Sequence, residues 1–440
     1  MREIIRLYIY IFKKICAIID VLGGLYMILK ELTNEEFNLF TKNNYTSIYQ
    51  STNYALAMTK QGFDCFYYGI FDGNNIYGAS LVLIKKVHGF KYAFVPRGFI
   101  IDYNNQALLK EYTQLLKKEL SKKGVVGIRI NPPIIRSIYQ DKQTIPSTNY
   151  DNIFNNLKKI GYHHFGYNNF FEGLKPRYEA VIPLTPNISE LFKKISKKFR
   201  TKIRTADLNG IKIFQGNETN LEYLFLHTKN KYPRDLKYFE DIYYYFKNNN
   251  AVEFYYALLD TEDYVRSVQY RYQKQTVRCN EANAKVFKNV KNNNNTRIIN
   301  QKLYEENKLN GIKEELVYAT KLLKEFPKGI VIASILVIKN KEEIYTLMDG
   351  YDKDYKRLNA KHLLIWKLIE KYALQGYKTF NLGGMTNYSI KDNKFDGLNN
   401  FKINFGAKVY EYIGDLEYVI NKPLHLMYRN KSVVMGLIKK

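Results

Sequence analysis

The sequence predicts an α/β protein that contains two copies of one unit, and three observations support this prediction. Short apolar strand segments alternate with helical segments along most of the chain. The strand segments at residues 65–71 and 76–84 resemble a second pair at residues 252–259 and 329–338. A tight turn joins the first pair, whereas residues 260–328 lie between the members of the second pair. The second copy therefore carries an insertion where the first copy has a turn.

Composition and charge favour a globular protein with an anionic partner. The chain has 440 residues, too many for one ordinary domain, and 46% of them are hydrophobic. Lysine and arginine number 68 against 42 acidic residues, and the net charge of +26 favours nucleic acid, a phosphorylated substrate or an acidic membrane surface. The cysteines Cys16, Cys65 and Cys279 form no CxxC pair. We therefore expect a reducing, cytoplasmic setting without disulfides, and no metal site.

The N-terminal segment is apolar overall, but charged residues interrupt it. A membrane-spanning helix needs about 20 nearly uninterrupted apolar residues, and the longest run within residues 4–30 is shorter. Three interpretations remain for residues 1–26: a membrane-surface helix, a poor anchor, or sequence upstream of the natural start. Met27 opens a fresh segment with a Thr-x-x-Glu capping signal at Thr33, so we favour Met27 as the start.

Each copy shows the order helix, antiparallel meander, helix, strand, which is the order of the acetyltransferase-like (GNAT) fold. Turn signals such as Asp72-Gly73-Asn74 separate the strands. In the first copy we predict helices within 35–60 and 105–123 and strands at 65–71, 76–87, 90–95 and 125–130. In the second copy we predict helices within 187–208, 219–247 and 360–374 and strands at 211–214, 252–259, 329–338, 344–348 and 378–382.

The predicted fold class is α/β, with tandem GNAT-like (acyl-CoA N-acyltransferase-like) domains and an antiparallel helical-hairpin (coiled-coil) arm inserted in the second. We place the first domain at residues 27–180, with residues 408–440 packing back on it. The second domain takes residues 181–407, and the arm within it takes residues 260–328.

Two apolar series predict the arm. One runs from Val265 to Val286 and the other from Leu309 to Phe326, each in steps of three and four residues, with a polar tip at residues 288–296 between them. The outer faces carry basic residues, which form either a solvated charged face or a surface that tracks an RNA backbone. The candidates for tRNA contact on this arm are Arg271, Lys274 and Arg278.

A second basic stretch carries seven positive side chains within residues 193–204. Apolar residues at helical spacing predict that this stretch lies on a helix with one buried face. The surplus of charge exceeds what solubility requires, so we expect contact with phosphates. The candidates here are Lys193, Lys194, Lys197, Lys198 and Arg200.

Residues 376–414 form the candidate working centre. A short strand runs into Gly383-Gly384 and a polar loop, and the pair Phe401-Lys402 follows. Backbone without a Cβ can approach a ligand closely, so this pattern is either a site or a surface connection. The chain contains no P-loop, HExxH or GxSxG motif, and no pyrophosphate loop of the acetyl-CoA type. These features together favour acyl transfer from an RNA-borne donor.

Several ordered stretches resemble the FemABX (Fem) family of peptidoglycan bridge-forming, aminoacyl-tRNA-dependent aminoacyltransferases. The stretches are residues 50–60, 96–103, 199–210, 234–238, 383–384, 397–406 and 412–416. The resemblance implies that an amino acid moves from aminoacyl-tRNA to an amine of the stem peptide of lipid II or its UDP-linked form. It also implies that no cofactor is needed, because the donor is itself an activated ester.

The resemblance further assigns roles to single residues. It places Lys402, beside Phe401, at the acceptor end of the tRNA, where a cation would stabilise the developing oxyanion. Asp102 matches an acidic position proposed as a base, although a lone carboxylate after a glycine loop is more often a turn-former. Three residues match positions that hold the phosphates of the precursor: Lys60, Arg234 and Tyr238.

Two functions of other kinds stay open at this point. One is a non-catalytic tRNA- or RNA-binding protein, and the other is a CoA-dependent N-acyltransferase, which the missing pyrophosphate loop disfavours. We expect a cytoplasmic protein, or one at the inner face of the plasma membrane where lipid II lies, as a monomer or homodimer.

Overall fold

The computed structural model describes residues 27–44, 47–140, 143–229, 234–288, 296–390 and 393–438. The chain divides into two compact units. The first comprises Met1–Tyr178, Gly384–Ser389 and Tyr410–Lys440, and the second comprises Glu179–Gly383 and Ile390–Val409. The N-terminal extension, with its three interpretations, lies outside the described residues. None of the helices within the described ranges has the length and apolar character that crossing a membrane requires.

Strands and helices alternate along the chain, as the sequence predicts. The strands are β1 (Ile28–Glu31), β2 (Asp64–Asp72), β3 (Asn75–Val87), β4 (Phe90–Pro96), β5 (Ile100–Ile101), β6 (Val125–Asn131), β7 (Ile135–Gln140), β8 (Gln143–Pro146), β9 (His163–His164), β10 (Tyr178–Pro183), β11 (Ile211–Gly216), β12 (Val252–Leu259), β13 (Ile330–Asn340), β14 (Glu343–Tyr351), β15 (Thr379–Met385), β16 (Lys408–Tyr412) and β17 (Leu416–Val419). The α-helices are α1 (Asn34–Asn43), α2 (Thr52–Lys60), α3 (Gln106–Lys122), α4 (Tyr150–Ile160), α5 (Ile188–Lys194), α6 (Lys197–Leu208), α7 (Leu221–Thr228), α8 (Leu236–Lys247), α9 (Thr261–Lys288), α10 (Thr296–Glu325), α11 (Ala360–Leu374), α12 (Asp396–Asn404) and α13 (Lys422–Ile438).

The first unit is organised around a sheet with the strand order β1-β2-β3-β4-β6-β17-β9, and β5 pairs with β3. β2 and β3 form the hairpin that the Asp72-Gly73-Asn74 signal predicts. The helix α3 buries Leu109 and Tyr112 in the core of this unit. At the start of α1, the Thr33 hydroxyl accepts from the Glu36 amide and the Glu36 carboxylate accepts from the Thr33 amide, so the predicted capping box is confirmed.

The second unit repeats this order. Its sheet contains the strands β11, β12, β13, β14, β15 and β10 side by side in that order. β11 to β14 form an antiparallel meander, and β15 joins β14 in the parallel direction. The helix α11 lies against the meander and buries one long face that includes Leu364, Ile365 and Tyr372. The predicted bounds of β12 and α11 agree with those in the structure. The fold class is thus the predicted one, two GNAT-like units with an arm in the second.

The arm is the antiparallel helical hairpin formed by α9 and α10. Val268, Cys279 and Ala319 are buried along its seam, which confirms the predicted apolar series. One buried pair in the seam is polar, because the Gln275 side-chain amide donates to the Glu305 carboxylate at 2.6 Å. Most of the predicted tip, residues 289–295, lies outside the described residues.

Two local predictions differ from the structure. The basic stretch is not one helix: α5 ends at Lys194, and Ser196 caps a new helix, α6, by accepting from the Phe199 amide. The glycine pair Gly383-Gly384 does not follow the strand but lies inside β15. In the first case the Ser196 cap starts a new helix although apolar residues continue at helical spacing. The spacing continues across the break because both helices bury their apolar residues.

Candidate active site

The pairing between β14 and β15 stops early, and this is the feature that locates the candidate site. The two parallel strands are in register from Glu343 with Thr379 to Tyr345 with Asn381, whereas β14 continues to Tyr351. We call the region between residues 346–351 of β14 and residues 382–383 of β15 the strand gap. The strand gap lies at the carboxyl ends of two parallel strands that no longer share ladder hydrogen bonds, and α/β folds bind ligands at such ends.

Gly383 shapes one side of the strand gap. Its φ is +76°, and its amide donates to the Asn381 side chain at 2.8 Å. A Cβ at this position would lie 3.0 Å from the Thr346 carbonyl oxygen and 3.9 Å from Lys402 Nζ. Glycine is therefore favoured both by the backbone conformation and by the close approach of the Thr346 carbonyl oxygen, and the Lys402 ammonium lies beside it.

Lys402 lies on α12 and is only 5% exposed. The start of α12 is held by Asn393, whose side-chain amide donates to the Asp396 carboxylate at 2.8 Å. At the other end, the Asn404 carbonyl accepts from the Ser196 amide at 3.0 Å, which places α12 beside the basic stretch. A buried ammonium next to a glycine in a strand gap is suited to stabilising negative charge on a bound group.

Phe401 belongs to a cluster of four rings contributed by three helices. Its ring centroid lies 5.6 Å from that of Phe199, 5.2 Å from that of Phe405 and 5.1 Å from that of His362. Neither ring nitrogen of His362 has a hydrogen-bond partner among the described residues. Burial, with the nearby Lys202 and Lys361 ammonium groups, lowers the pKa of His362 to about 3. The imidazole is consequently neutral at neutral pH.

Lys361 adds a second buried ammonium that the sequence analysis did not single out. It forms an ion pair with Asp349 of β14, and its Nζ lies 4.4 Å from the Phe401 ring centroid. The structure thus brings Asp349, Lys361 and Phe401 together from three separate elements. A signal was present in the sequence: a lysine in the first turn of a helix opposes the helix dipole and needs another reason to be there.

The basic stretch presents exposed lysines next to this cluster. Lys202 Nζ lies 5.2 Å from the centroid of the Phe199 ring. The pKa of Lys202 is lowered by burial and, to a smaller extent, by the positive charges of Lys198 and Lys356. The Arg200 guanidinium donates to the Lys193 carbonyl at 2.8 Å. Four of the five candidates in this stretch are exposed on the surface: Lys193, Lys194, Lys197 and Lys198. Such a concentration of like charge favours an anionic ligand.

The three candidates for tRNA contact on the arm differ in their exposure. Lys274 and Arg278 are exposed, as the outer-face prediction requires. Arg271 is not on the outer face: its guanidinium donates to both Glu315 carboxylate oxygens of α10, at 2.9 and 3.0 Å, and to the Asn209 side chain at 3.0 Å. The correction has a physical reason, because position 271 borders the seam and meets an acidic residue across it.

Arg234 and Tyr238 lie together at the start of α8. The Arg234 guanidinium is exposed and lies 4.1 Å from the ring centroid of Tyr238, which is 7% exposed. Burial raises the pKa of Tyr238, and the guanidinium opposes this effect. Asp235 caps the helix by accepting from the Tyr238 amide at 2.9 Å. The exposed guanidinium is therefore oriented by the Tyr238 ring and hydroxyl, on a helix whose start is capped by Asp235.

Two candidates belong to the first unit. Lys60 is the last residue of α2 and is exposed. Asp102 is also exposed, and its carboxylate accepts from the Asn104 amide at 2.9 Å and from the Asn104 side chain at 3.3 Å. These contacts are those of a turn-forming aspartate. A catalytic role for Asp102 stays a prediction, as does phosphate binding by Lys60.

A metal-dependent site finds no support in the described part of the chain, where histidine, cysteine and acidic residues form no group that could hold a metal ion. The fold defines the class of architecture: two tandem GNAT-like units, the second of which has a buried lysine at its strand gap.

The chain belongs to the FemAB family, whose profile matches residues 32–431. It is similar to the lipid II:glycine glycyltransferase of Staphylococcus epidermidis, with 26% identity over 415 residues that cover 91% of this chain and 95% of the relative. The enzyme of the same name from Staphylococcus aureus is 25% identical over 417 residues, which cover 90% and 93% of the two chains. A crystal structure of FemX superposes with a TM-score of 0.69 at 22% identity, covering 91% of this chain and 99% of FemX, and supports the fold.

Proposed function

We propose that this chain transfers an amino acid from aminoacyl-tRNA to an amine of the stem peptide of a peptidoglycan precursor, lipid II or its UDP-linked form, and so builds the interpeptide bridge. Membership of the FemAB family and the named activity of its relatives support the proposal. The observation that carries it is the buried Lys402 ammonium beside Gly383 in the strand gap.

The reaction is the aminolysis of an ester. The neutral acceptor amine attacks the aminoacyl carbonyl carbon and a C–N bond forms. The C–O bond to the tRNA ribose then breaks, and the proton that the amine loses passes to the departing ribose oxygen, which leaves as a hydroxyl. Negative charge develops on the carbonyl oxygen in the transition state, and the Lys402 ammonium would stabilise it by about 10²–10³ in rate. The enzyme needs no covalent intermediate and no cofactor, because the amino acid arrives already activated and the protein supplies positioning.

Charge on the surface suits both substrates. The exposed lysines of the basic stretch, with Lys274 and Arg278 of the arm, would contact the phosphates of the tRNA. Arg234, oriented by Tyr238, has the planar geometry for two hydrogen bonds to one phosphate of the precursor, and Lys60 would add a point charge. We propose that the enzyme works in the cytoplasm, with peripheral contact to the inner membrane face when the acceptor is lipid II.

The test is a transfer assay with purified protein, tRNA charged with a labelled amino acid, and lipid II or the UDP-linked precursor. We expect label to reach the precursor only when the tRNA is charged. Label that stays on the tRNA while charged and uncharged tRNA bind equally well would indicate an RNA-binding protein. Transfer from an acyl-CoA in the same assay would indicate a CoA-dependent acyltransferase.

A further inference from the structure

Lys361 occupies a position where a lysine is costly. It is the second residue of α11 and is 8% exposed. The first turn of a helix carries partial positive charge from its unpaired amides, so a cation there is unfavourable. Burying an ion pair also removes two charges from water, and an apolar side chain of similar size would often pack as well. Helix formation and core packing therefore give no reason for a lysine at this position.

The contacts of Lys361 connect the elements that border the strand gap. Asp349 lies on β14 beyond Tyr345, the last residue in register with β15. The Lys361 ammonium binds the Asp349 carboxylate and lies over the ring of Phe401, the residue that precedes Lys402. One ammonium thus joins β14, α11 and α12.

Phe401 is held by two kinds of contact. The neighbouring rings of His362, Phe405 and Phe199 lie at 68°, 62° and 53° to its plane. Lys361 instead contacts a face of the ring, at 4.4 Å from the centroid. A cation over an aromatic face is attracted by the ring's negative potential, and this attraction is strongest where both groups are desolvated. The neighbouring rings supply apolar contacts, whereas the cation favours the orientation in which Phe401 presents its face to the ammonium.

We propose that Lys361, held by Asp349, is a positioning residue for acyl transfer that fixes Phe401 and, through the adjoining backbone, the Lys402 ammonium. The inference rests on the proposed function and adds two residues to it. A charged group displaced by about 1 Å from the reacting carbonyl can cost about 10²-fold in rate. Lys361 would thus influence kcat without touching either substrate.

The kinetic test compares three variants in the labelled transfer assay. Lys361→Met keeps the length and removes the charge, and we expect kcat to fall by roughly 10–100-fold while the apparent KM for the precursor changes less than about twofold. Lys361→Arg keeps a cation over the ring and should restore most of the rate. Lys367→Met is the matched control, because Lys367 lies on the same helix but is exposed and pairs only with Glu370 within α11. A Lys361→Met enzyme with the wild-type kcat, or an equal loss in both Lys361 variants, would overturn the inference.

A second measurement does not depend on turnover. With 4-fluorophenylalanine at position 401, the ¹⁹F resonance reports the charge over the ring, and we expect it to shift in Lys361→Met and to remain in place in Lys367→Met. An unchanged resonance in Lys361→Met contradicts the positioning role whatever the activity. Absence of transfer by the wild-type protein, with a shifted resonance in Lys361→Met, would instead contradict the proposed function and leave the contact between Lys361 and Phe401 established.

Discussion

Each unit contains a pair of neighbouring parallel strands, and the two pairs differ in how long they stay together. In the first unit, β4 and β6 pair from Lys91 with Val125 to Pro96 with Asn131, with one register shift between Lys91 and Ala93. In the second unit, β14 and β15 are in register for only three residue pairs, the last of which is Tyr345 with Asn381. The strands of the first pair therefore stay paired to the end of β4, whereas those of the second pair stop pairing before the end of β14 and border the strand gap.

Different side chains stand at the ends of the two pairs. Directly after β4, Arg97 is 3% exposed and donates to the Asn131 side chain at 2.9 Å and to the Pro176 carbonyl at 2.8 Å. Its guanidinium also lies 4.0 Å from the ring centroid of Tyr412. In the second unit the strand ends instead meet the ammonium groups of Lys361 and Lys402. The comparison teaches that a buried guanidinium with protein partners closes the end of one strand pair, whereas two buried ammonium groups lie at the end of the other, where we propose that the chemistry occurs.

The largest effect that this comparison predicts is on catalysis in the second unit. Replacing Lys402 with alanine removes the cation beside Gly383, and we expect kcat for amino acid transfer to fall by about 10²–10³-fold. The measurement is single-turnover transfer of labelled amino acid from charged tRNA to the precursor.

The control for Lys402→Ala is Lys394→Ala, which removes an exposed lysine that precedes the same helix. We expect this variant to keep wild-type kcat. A Lys402→Ala enzyme that transfers at the wild-type rate would show that the strand gap is not the acyl-transfer site.

A substitution at the end of the strand pair in the first unit should change the stability of the protein and not the rate of amino acid transfer. Arg97→Ala removes two buried hydrogen bonds and the contact with Tyr412, and we expect the free energy of unfolding to fall by about 3 kcal/mol, with kcat per folded molecule unchanged. Urea unfolding measures the change, and Lys91→Ala on the exposed side of β4 is the control. A drop in kcat at unchanged stability would mean that the closed pair also takes part in the chemistry.

Periodicity made most of this fold predictable. Short apolar segments bounded by turn signals predict the strands, and the two apolar series with steps of three and four predict the arm, because both patterns follow from what each element buries. The break at Ile195–Ser196 was missed for the same reason: Leu191, Phe199 and Ile203 face one core across the break. Arg271 was misplaced because the register of α9 against α10 decides what lies opposite it.

The site was predictable only where residues adjoin in sequence. Phe401 and Lys402 adjoin in the sequence, as do Gly383 and Gly384, so a local motif and a family resemblance can indicate each pair. Asp349, Lys361 and Phe401 are far apart in the chain and meet only when α11 and α12 pack against β14. The sequence alone cannot give such a contact, although a lysine in the first turn of a helix was a sign that it existed.

The open strand pair also needs support at the far end of α11, and this gives a pH-dependent prediction. Glu253 of β12 accepts from Lys339 at 2.8 Å, Lys371 at 2.9 Å and Tyr372 at 2.7 Å, and this ties α11 to the sheet. Burial alone would raise the pKa of Glu253, but these hydrogen bonds outweigh it and lower the pKa to about 2, below the ordinary value of 4.5. The folded state therefore favours the ionised carboxylate, so the stability that this group contributes is complete above about pH 4.5 and is lost as the pH falls towards 2. We expect Glu253→Gln to unfold at lower urea concentration than the wild type at pH 7, and the two proteins to converge as the pH falls towards 2. Glu240→Gln, on the exposed side of α8, should follow the wild type throughout. Parallel curves for Glu253→Gln and the wild type would show that the support does not depend on the charge of Glu253.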